Sequence, residues 1–549
     1  MDFDTVLLGA RRADSIARGL WHDRTINDHL DACVAACPDK VALKAVSLDA
    51  AEVGSFSYRE LATLADRIAV GLSRLGVGRN DVVAMQLPNW RQFSLLYLAC
   101  SRIGAVVNPL MPIFRERELS FMLTHGEAKL LVVPKIFRNF DHEAMARGLQ
   151  PTLPHLKRIV VVDGGGADDF EALLTKPEWE KEPDAQAILT GSRPSADDVT
   201  QLIYTSGTTG EPKGVMHTAN TLMANIVPYA ERLRLGADDV ILMASPMAHQ
   251  TGFMYGLLMP IMLKASAVLQ DVWDPARAAA LIRAEKVTFT MASTPFLTDL
   301  SRVVTESGEP VPTLRVFLCA GAPIPGPLVE QAQAGLGAKI VSAWGMTENG
   351  AVTLINLDDD DRLASTTDGC PLPGVEVRAL DPEGKTLPAG EIGKLVVRAC
   401  SNFGGYLKRP QWNATDDDGW FDTGDLAYTT ADGYIRITGR SKDVIIRGGE
   451  NIASKEVEDL LAMHPAVLES AAIGRPDPRY GERVMVYVIL RPDHDASTFD
   501  LGEVQRHFAG LGVAKQKTPE FVEVVSELPR GMSGKVKKFE LRSRVRNIG

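Results

Sequence analysis

The sequence predicts an α/β protein with a large N-terminal domain of layered sheets and helices, a β-rich subdomain, and a small α+β C-terminal domain. Its 549 residues are too many for a single hydrophobic core. Through the first two hundred residues, apolar strand-like runs alternate with helical stretches, which is typical of βα units with mostly parallel strands. From about Gly369 short β runs separated by Gly and Pro replace this pattern.

After Gly439 the pattern changes again, to helix, strand, strand, helix and strand on the scale of one small domain of about 100 residues. The predicted organisation is therefore a large domain over 1–439, which includes the β-rich subdomain at 369–439, and a small domain over 443–549. The boundary falls at 440–442.

The first clear helix begins at Ser57, where Ser57 and Glu60 have the spacing of a capping box. It should run to Leu75 and end at Gly76, since glycine is the usual residue just past a helix. A second helix should end near Gly104. The strands predicted around these helices are Val82–Leu87, Leu130–Val133, Ile159–Val162 and Val199–Tyr204.

Composition excludes several classes of protein. The net charge of -11 argues against nucleic acid or an anionic membrane as the main partner. The N-terminal residues lack the apolar core and small-residue cleavage site of a signal peptide. The longest apolar run, Gly252–Leu263, is too short to cross a bilayer and predicts a buried helix without integral membrane association. Six scattered cysteines favour a reduced, cytoplasmic protein without a zinc site.

Two acidic loops are candidate metal sites. One combines Gly164–Gly166 with Asp168 and Asp169, and the other is the run Asp358–Asp361. Neither has the alternating ligand spacing of a calcium loop. Both are interpreted as solvated acidic loops.

The most informative stretch is Tyr204–Val215, which reads YTSGTTGEPKGV. Its glycines and hydroxyl side chains can surround an anionic group with backbone N–H donors, as a triphosphate-binding loop requires. It is not a Walker A loop, because Glu211 and Pro212 separate Gly210 from Lys213. The alternative is a Gly/Thr-rich surface turn, which is uncommon at this density directly after a strand.

Seven further motifs follow the phosphate loop. In chain order they are ASPMAHQTG (244–252), GAP (321–323), WGMTE (344–348), WFDTGD (420–425), GRSKD (439–443), GGEN (448–451) and PRGMSGKV (529–536). In this order they resemble the adenylate-forming superfamily of acyl-CoA synthetases, luciferases and peptide-synthetase adenylation domains, over essentially the whole chain. Within it, the N-terminal half is most similar to bacterial cyclohexanecarboxylate-CoA ligases.

The resemblance implies an ATP/AMP site with Mg²⁺. The predicted nucleotide-binding residues are Thr205, Ser206, Gly207, Thr208, Thr209, Gly210, Lys213, Gly321, Ala322, Pro323, Trp344, Gly345, Asp425 and Arg440. Trp344 would stack on adenine, and Asp425 with Arg440 would hold the ribose. Taken alone, Trp344 would be core, and Asp425 is explained equally well by local turn chemistry.

Four positions match catalytic residues of the superfamily. Thr347 would donate to the α-phosphate, and Glu348 would coordinate Mg²⁺, which prefers few carboxylates together with phosphate oxygens. Lys535 would stabilise the charge that develops as a carboxylate attacks the α-phosphorus. His249 would line the entry of the carboxylate and the thiol. Without the resemblance, Glu348 would be interpreted as an ordinary loop residue and Lys535 as part of a solvated basic tail. His249 would be interpreted as a buried structural imidazole.

The superfamily also rotates its small domain between two half-reactions. Lys442 matches the hinge, and Gly448 and Gly449 match the segment that admits the pantetheine arm of CoA. Local turn chemistry is the alternative for the two glycines.

The candidate acyl pocket is mostly apolar or small, and none of its members is Lys or Arg, which favours a compact monocarboxylic acid. Its members are Gln250, Thr251, Gly252, Phe253, Pro295, Phe296, Ile324 and Gly345.

Three functions remain open: a carboxylate-CoA ligase that uses ATP, Mg²⁺ and CoA; an adenylation enzyme that loads a carrier protein's phosphopantetheine; and a non-catalytic or luciferase-like relative. The medium-chain fatty acyl and aryl acids are alternatives to an alicyclic acid. The presence of Lys213, Glu348, Asp425, Arg440 and Lys535 argues against a non-catalytic protein. Self-association as a homodimer is left open.

Overall fold

The computed structural model describes residues 1–47, 53–205, 212–321, 324–440, 443–447, 450–477, 481–496, 498–511, 517–530 and 535–546. The chain divides into two compact units. The first contains Met1–Glu376 and Arg398–Phe421, and the second contains Val377–Val397 and Asp422–Gly549. The hinge predicted at 440–442 stays a prediction, because 441 and 442 lie outside the described residues.

The strands are β1 (Val41–Val46), β2 (Val53–Ser57), β3 (Val82–Met85), β4 (Val106–Pro109), β5 (Ala128–Pro134), β6 (Ile136–Phe137), β7 (Phe140–Asp141), β8 (Arg158–Val162), β9 (Val199–Thr205), β10 (Lys213–Thr218), β11 (Val240–Met243), β12 (Ser266–Gln270), β13 (Phe289–Ala292), β14 (Val316–Ala320), β15 (Lys339–Met346), β16 (Gly350–Leu354), β17 (Cys370–Pro371), β18 (Val375–Leu380), β19 (Gly393–Ala399), β20 (Gly405–Tyr406), β21 (Phe421–Thr429), β22 (Ile435–Arg440), β23 (Val444–Arg447), β24 (Glu450–Ala453), β25 (Val467–Asp477), β26 (Gly481–Leu490) and β27 (Phe521–Val524).

The α-helices are α1 (Gly9–Ala17), α2 (Ile26–Ala36), α3 (Tyr58–Arg74), α4 (Arg91–Arg102), α5 (Glu116–His125), α6 (His142–Leu149), α7 (Ala185–Gly191), α8 (Ala219–Met223), α9 (Ile226–Arg232), α10 (Gln250–Gly252), α11 (Met259–Leu263), α12 (Pro275–Glu285), α13 (Thr294–Ser307), α14 (Gly326–Leu336), α15 (Leu363–Thr366), α16 (Ser454–Ala462), α17 (Leu501–Gly510) and α18 (Lys538–Arg546).

The first unit contains two large sheets. One has nine strands in the order β17-β16-β15-β14-β13-β11-β12-β1-β2, and the other has seven in the order β20-β10-β9-β4-β3-β5-β8. The central strands of both sheets are parallel, as the βα pattern predicts. Antiparallel strands lie at both edges of the nine-stranded sheet and at one edge of the other, where β10 and β20 follow β9, whereas the opposite edge strand β8 is parallel to β5.

Helix α3 shows why the local prediction succeeds. The Ser57 side chain accepts from the backbone N–H of Glu60, and the Glu60 side chain accepts from the N–H of Ser57. Leu61, Ile68 and Leu72 give the helix a buried face. It ends at Arg74, and Gly76 follows with a φ of 82°.

The apolar run Gly252–Leu263 forms the predicted buried helical segment. Between α10 and α11 it adopts a π-helix over Phe253–Leu258, all of whose residues are buried. Such π segments widen a helix locally and are frequent near functional sites. Within the described ranges, no helix is both long and apolar enough to span a membrane.

The second unit contains a five-stranded sheet, in which β24-β23-β26-β25 are neighbours and β27 pairs with β26. Its core includes Val457 and Leu461 of α16 and Phe508 of α17. Most residues of a four-stranded sheet, β18-β19-β21-β22, also lie in this unit. The predicted class, a large α/β domain with a β-rich subdomain and a small α+β domain, is confirmed.

The acidic loop Asp358–Asp361 is held by basic side chains. Asp358 pairs with Arg234, and Asp360 pairs with Arg362 at 2.8 Å. These exposed pairs support the interpretation of a solvated acidic loop. All six cysteines are free thiols.

Candidate active site

The predicted acyl and adenine segments share one edge of the nine-stranded sheet. Strands β15, β14, β13 and β11 are parallel neighbours, so their carboxyl ends lie on the same side. The segments that follow these ends are 347–349, 321–325, 293–296 and 244–252. Ligands in open α/β sheets bind at the carboxyl ends of the strands. The motifs ASPMAHQTG, GAP and WGMTE fall at or directly after these ends.

The phosphate loop is carried by a β-hairpin of the seven-stranded sheet. Strands β9 and β10 pair antiparallel, and Lys213 lies opposite Thr205. Both residues are half-buried at the end of the hairpin. The connecting residues 206–211 lie outside the described part of the chain, so the predictions for Ser206, Gly207, Thr208, Thr209 and Gly210 are not addressed by the structure.

Two aromatic rings contact the Lys213 ammonium. Its Nζ lies 4.6 Å from the ring centroid of Tyr406 and 5.5 Å from that of Trp412. Ammonium groups are attracted to ring faces at such distances. The guanidinium of Arg409 lies 5.3 Å from the Trp412 ring, so a second cation is close to the same indole.

Glu348 is a buried carboxylate, with 5% of its surface exposed. Its Oε1 accepts a 2.7 Å hydrogen bond from the Tyr406 hydroxyl. Its backbone carbonyl accepts another from the N–H of Phe403, also at 2.7 Å. The Glu348 carboxylate and the Lys213 ammonium are thus both in contact with Tyr406.

Further hydrogen bonds fix the backbone of the loop that carries Glu348. The Nδ2 of Asn225 donates to the carbonyls of Asn349 and Ala351, both at 3.1 Å. Ser401 Oγ donates to the Asn349 carbonyl at 2.8 Å. Gly350 has a φ of 67°, and a Cβ there would lie 2.6 Å from Asn225 Nδ2, so this position requires glycine. The loop is therefore preorganised.

His217 anchors the Thr347 end of the same loop. Its Nε2 lies 2.8 Å from the Thr347 carbonyl, which can only accept, so Nε2 carries the proton. Its Nδ1 then accepts from the Thr221 hydroxyl at 3.0 Å. Burial lowers the pKa of His217 to about 4. The imidazole is therefore neutral near pH 7.

The segments predicted to bind adenine include two constrained glycines. Gly345 lies beside the half-buried Trp344, and a Cβ on Gly345 would lie 1.9 Å from the Gly350 carbonyl oxygen. Gly321 is exposed and has a φ of 89°. Ala322 and Pro323 lie outside the described residues. The Gly345 position requires glycine because of this close packing, and both Gly345 and Gly321 are exposed, which leaves their backbone open to a planar base.

His249 is exposed, so the alternative of a buried structural imidazole is wrong. It precedes α10, where its Nδ1 accepts from the N–H of Thr251 at 3.3 Å. The neighbouring Gln250 is only 3% exposed, and neither polar atom of its side chain has a hydrogen-bond partner among the described residues. An unsatisfied buried amide is costly, so this side chain calls for a partner such as a bound water molecule or a ligand.

The remaining acyl-pocket residues differ in burial. Phe253 is fully buried, with its ring centroid 4.7 Å from that of Tyr97, and Ile324 is 4% exposed. Phe296 is half-buried, and its ring lies 4.6 Å from Trp273, whereas Pro295 is exposed. A Cβ on Gly252 would lie 2.4 Å from the Pro246 carbonyl oxygen. Phe253 and Ile324 thus belong to the packed core at this edge.

In the second unit the predicted ribose-binding pair is in contact. Asp425 of β21 lies opposite Arg440 of β22, and Arg440 Nε donates to Asp425 Oδ1 at 3.1 Å. Asp425 is 5% exposed. Its backbone N–H donates to the hydroxyl of Thr423 at 3.1 Å. The carboxylate of Asp425 therefore takes part in a cross-strand ion pair, and its backbone takes part in a local turn.

Lys535 is exposed and lies directly before Val536, which bridges to Arg530. Its neighbours are engaged in ion pairs: Lys537 contacts Glu540 at 2.8 Å and Lys538 contacts Glu458 at 2.7 Å. These two lysines stabilise the local fold and are not a free basic tail. The predicted positions Lys442, Gly448 and Gly449 lie outside the described residues.

Sequence reasoning missed Tyr406, Trp412 and His217. Tyr406 and Trp412 lie between two recognised motifs, in GGYLKRPQW, and a buried tyrosine there reads as core. His217 follows the phosphate loop in GVMHT and reads as one of many buried histidines. Their partners are distant in sequence; Tyr406 and Glu348, for example, are 58 residues apart.

The chain has a large α/β domain and a small α+β domain, and the hairpin that carries the phosphate loop lies beside a buried carboxylate. These features define an adenylate-forming enzyme. Comparison with known families agrees. The model of the AMP-binding enzymes matches residues 30–407, and that of the AMP-binding enzyme C-terminal domain matches residues 456–535. The chain belongs to the AMP-binding enzyme family.

Individual relatives cover nearly the whole chain. The medium-chain fatty-acid--CoA ligase of Escherichia coli is 38% identical over 97% of this chain and 92% of that protein. The 2,3-dihydroxybenzoate-AMP ligase of Bacillus subtilis is 32% identical over 96% of this chain and 95% of that protein. A crystal structure of ATP-bound MatB from Rhodopseudomonas palustris is 29% identical, with a TM-score of 0.81 over 96% of this chain and 100% of that one. The resemblance to adenylate-forming enzymes is confirmed, and the prediction of an acid-thiol ligase agrees with these names.

Proposed function

We propose that the chain is an AMP-forming carboxylate-CoA ligase acting on a compact monocarboxylic acid such as cyclohexanecarboxylate. The observation that carries this proposal is the contact of Lys213 and Glu348 with the same residue, Tyr406, beside the phosphate-loop hairpin. A cation for phosphate and a carboxylate for a metal are the two groups that Mg·ATP needs. The ligase names of the relatives support the same chemistry.

Glu348 fits Mg²⁺. Among the described residues, no three His, Cys, Asp or Glu side chains are grouped so that they could hold a metal ion. Magnesium in nucleotide sites is held by one or two carboxylates with phosphate oxygens, so a single fixed carboxylate is sufficient. Bound there, the ion would neutralise negative charge on the phosphates.

In the first half-reaction, a carboxylate oxygen of the acid attacks the α-phosphorus of ATP. The bond from the α-phosphorus to the bridging oxygen breaks, and its electron pair leaves with pyrophosphate. Lys213 and the phosphate loop hold the departing group, Thr347 donates to the α-phosphate, and Lys535 stabilises the developing charge. Asp425 and Arg440 hold the ribose through their charged groups.

In the second half-reaction, the thiol of CoA attacks the acyl carbon of the acyl-adenylate. The carbon–sulfur bond forms, and the mixed anhydride breaks with AMP as the leaving group. In this proposal the pantetheine arm passes along Gly448 and Gly449, and the small domain moves about a hinge at Lys442. The exposed His249 contacts the entering thiol.

The character of the acyl segments supports an uncharged acyl body. Phe253 and Ile324 are buried and apolar, and the half-buried Phe296 adds a ring. No lysine or arginine is among the predicted pocket residues, so a second carboxylate would remain without a counter-charge. A monocarboxylic acid with a hydrocarbon or aryl body fits best.

Loading of a carrier protein is the second candidate, because a free phosphopantetheine arm and a carrier-bound one present the same thiol. The 32% identity with the 2,3-dihydroxybenzoate-AMP ligase supports this second candidate.

The test supplies the purified chain with ATP and Mg²⁺, with and without CoA. The acids are cyclohexanecarboxylate, benzoate, octanoate and, as a charged control, a cyclohexane dicarboxylate. AMP and thioester are measured by chromatography and mass spectrometry. We expect CoA-dependent thioester from at least one monocarboxylic acid and none from the dicarboxylate. Absence of thioester from every acid, while AMP still forms, would favour carrier loading.

A further inference from the structure

We propose that Tyr406 is a positioning residue that couples the Glu348 carboxylate, the proposed metal ligand, to Lys213 of β10. This inference rests on the proposed function. Tyr406 is 4% exposed and contacts two charged groups that are far apart in sequence. Its hydroxyl donates to Glu348, and its ring face lies under the Lys213 ammonium.

The hydroxyl fixes the carboxylate. A carboxylate can rotate about its last carbon–carbon bond, and a 2.7 Å hydrogen bond to Oε1 sets that rotation. The direction of the second oxygen is then set as well. A hydrogen bond to the ionised form also stabilises the charge that a divalent cation requires.

The ring fixes the ammonium. Lysine has a flexible stem, so its charge is well placed only when neighbouring groups restrict it. The Tyr406 and Trp412 rings, at 4.6 and 5.5 Å, provide an attractive surface without neutralising the charge. The two rings therefore restrict where the Lys213 charge can lie.

The backbone of Tyr406 is itself rigidly held. In β20 it pairs with Val215 of β10, two residues after Lys213. Its N–H donates to Asn413 Oδ1 at 2.9 Å, and the Phe403 ring lies 4.7 Å from its own ring. The paired strands β10 and β20 thus carry both the Lys213 ammonium and the Tyr406 ring that orients it. The Tyr406 hydroxyl reaches Glu348 in the loop between β15 and β16 of the nine-stranded sheet.

The two contacts predict different effects of two substitutions. Tyr406→Phe removes the hydrogen bond to Glu348 and keeps the ring under Lys213. It should weaken ATP binding about tenfold with Mg²⁺ present and leave binding in EDTA unchanged. Tyr406→Leu also removes the ring, and it should weaken ATP binding in EDTA by about threefold.

The experiment measures the Kd of ATP by isothermal titration calorimetry for the full chain, in Mg²⁺ and in EDTA. Tyr428→Phe, a half-buried tyrosine on β21, is the matched control and should behave as the unmodified protein. The melting temperature of each variant is recorded, and Trp412→Leu replaces Tyr406→Leu if the latter does not fold.

A loss confined to Mg²⁺ conditions in Tyr406→Phe supports the inference. An unchanged Kd in both conditions, or an equal loss in both, overturns it, because neither depends on the bond to Glu348. Failure of the unmodified chain to bind ATP in either condition would instead overturn the proposed function, and with it this inference. If Mg²⁺ strongly tightens ATP binding by the unmodified chain and Tyr406→Phe binds ATP equally well, the role of Tyr406 is rejected and the proposed function stands.

Discussion

Arg440 donates its Nε–H to Asp425 Oδ1 at 3.1 Å across the ladder of β21 and β22. The two residues are fifteen positions apart, and one hairpin places them directly opposite. An ionised carboxylate held in this way can accept the two hydroxyls of a ribose, while the guanidinium keeps further N–H donors. The contact explains why two motifs separated in sequence act as one predicted site.

Asp425→Asn tests this pair. The substitution keeps the size of the side chain and removes its charge, so we expect the Kd of AMP to rise about 10- to 100-fold, the cost of losing hydrogen bonds to a charged group. Equilibrium dialysis with AMP is the measurement. Asp422→Asn is the control and should have little effect, because Asp422 lies on the same strand as Asp425 but pairs with Lys394 of β19. Similar losses in both variants would contradict a direct role for Asp425.

Lys535→Ala should separate the two half-reactions. We expect pyrophosphate release with ATP and acid to fall about 100-fold or more, because a fixed cation at the reacting phosphate is lost. Thioester formation from a supplied acyl-adenylate should stay within about twofold, a magnitude that corresponds to only a small free-energy change. Both rates are measured by quenched-flow assays on the same preparation.

Lys537→Ala provides the control for Lys535. Lys537 is two residues away and forms an exposed ion pair with Glu540 at 2.8 Å, so its loss should change stability only slightly and leave adenylation nearly unchanged. Equal losses in both half-reactions for Lys535→Ala would argue against its proposed role in adenylation alone.

The buried His217 predicts how stability depends on pH. Burial lowers its pKa to about 4, whereas a histidine in the unfolded chain has a pKa of about 6.5. The unfolded state therefore binds the proton more readily between these values. The contribution of His217 is fully present above about pH 6.5 and is lost as the pH falls towards 4, by about 2.5 kcal/mol at pH 4.5.

His217→Gln should reduce this acid sensitivity. Its melting temperature should be lower than that of the unmodified protein at pH 7, because the bonds to Thr347 and Thr221 are altered. It should also decrease less between pH 7 and pH 4.5, as measured by differential scanning fluorimetry. His155→Gln changes an exposed histidine and is the control. Parallel curves for His217→Gln and the unmodified protein would contradict the assignment.

The sequence predicted those parts of the fold and site that depend on local pattern. The capping box at Ser57 and the buried run at Gly252–Leu263 each arise within a short stretch of chain. The pairing of Asp425 with Arg440 was implied only by the family resemblance, and the local pattern predicted a turn at Asp425 rather than a cross-strand contact. The segments after β11, β13, β14 and β15 could be grouped because parallel strands place their carboxyl ends together.

What could not be predicted depends on contacts between distant segments. Tyr406 reaches Glu348 only because β20 pairs with β10 at the edge of the other sheet. His217 reaches the Thr347 carbonyl across 130 residues. A tyrosine and a histidine in apolar surroundings read as ordinary core residues until their partners are known.

Gln250 provides a test of acid preference. Its amide is buried without a hydrogen-bond partner among the described residues, beside the exposed His249. Gln250→Leu removes these unsatisfied groups, so we expect it to stabilise the protein by about 1–3 kcal/mol. It should also raise kcat/KM for cyclohexanecarboxylate relative to 4-hydroxycyclohexanecarboxylate by about tenfold, because the amide that would bind the hydroxyl is gone.

Gln186→Leu is the control for this substitution, since it replaces an exposed glutamine of α7 with the same residue and should change neither quantity. Stability is measured by urea unfolding, and acid preference by competition between the two acids in one reaction. A stabilised Gln250→Leu variant with an unchanged ratio would place Gln250 in the core behind the pocket. A changed ratio places its amide against the acyl group, because an unsatisfied core residue has no means of distinguishing the two acids.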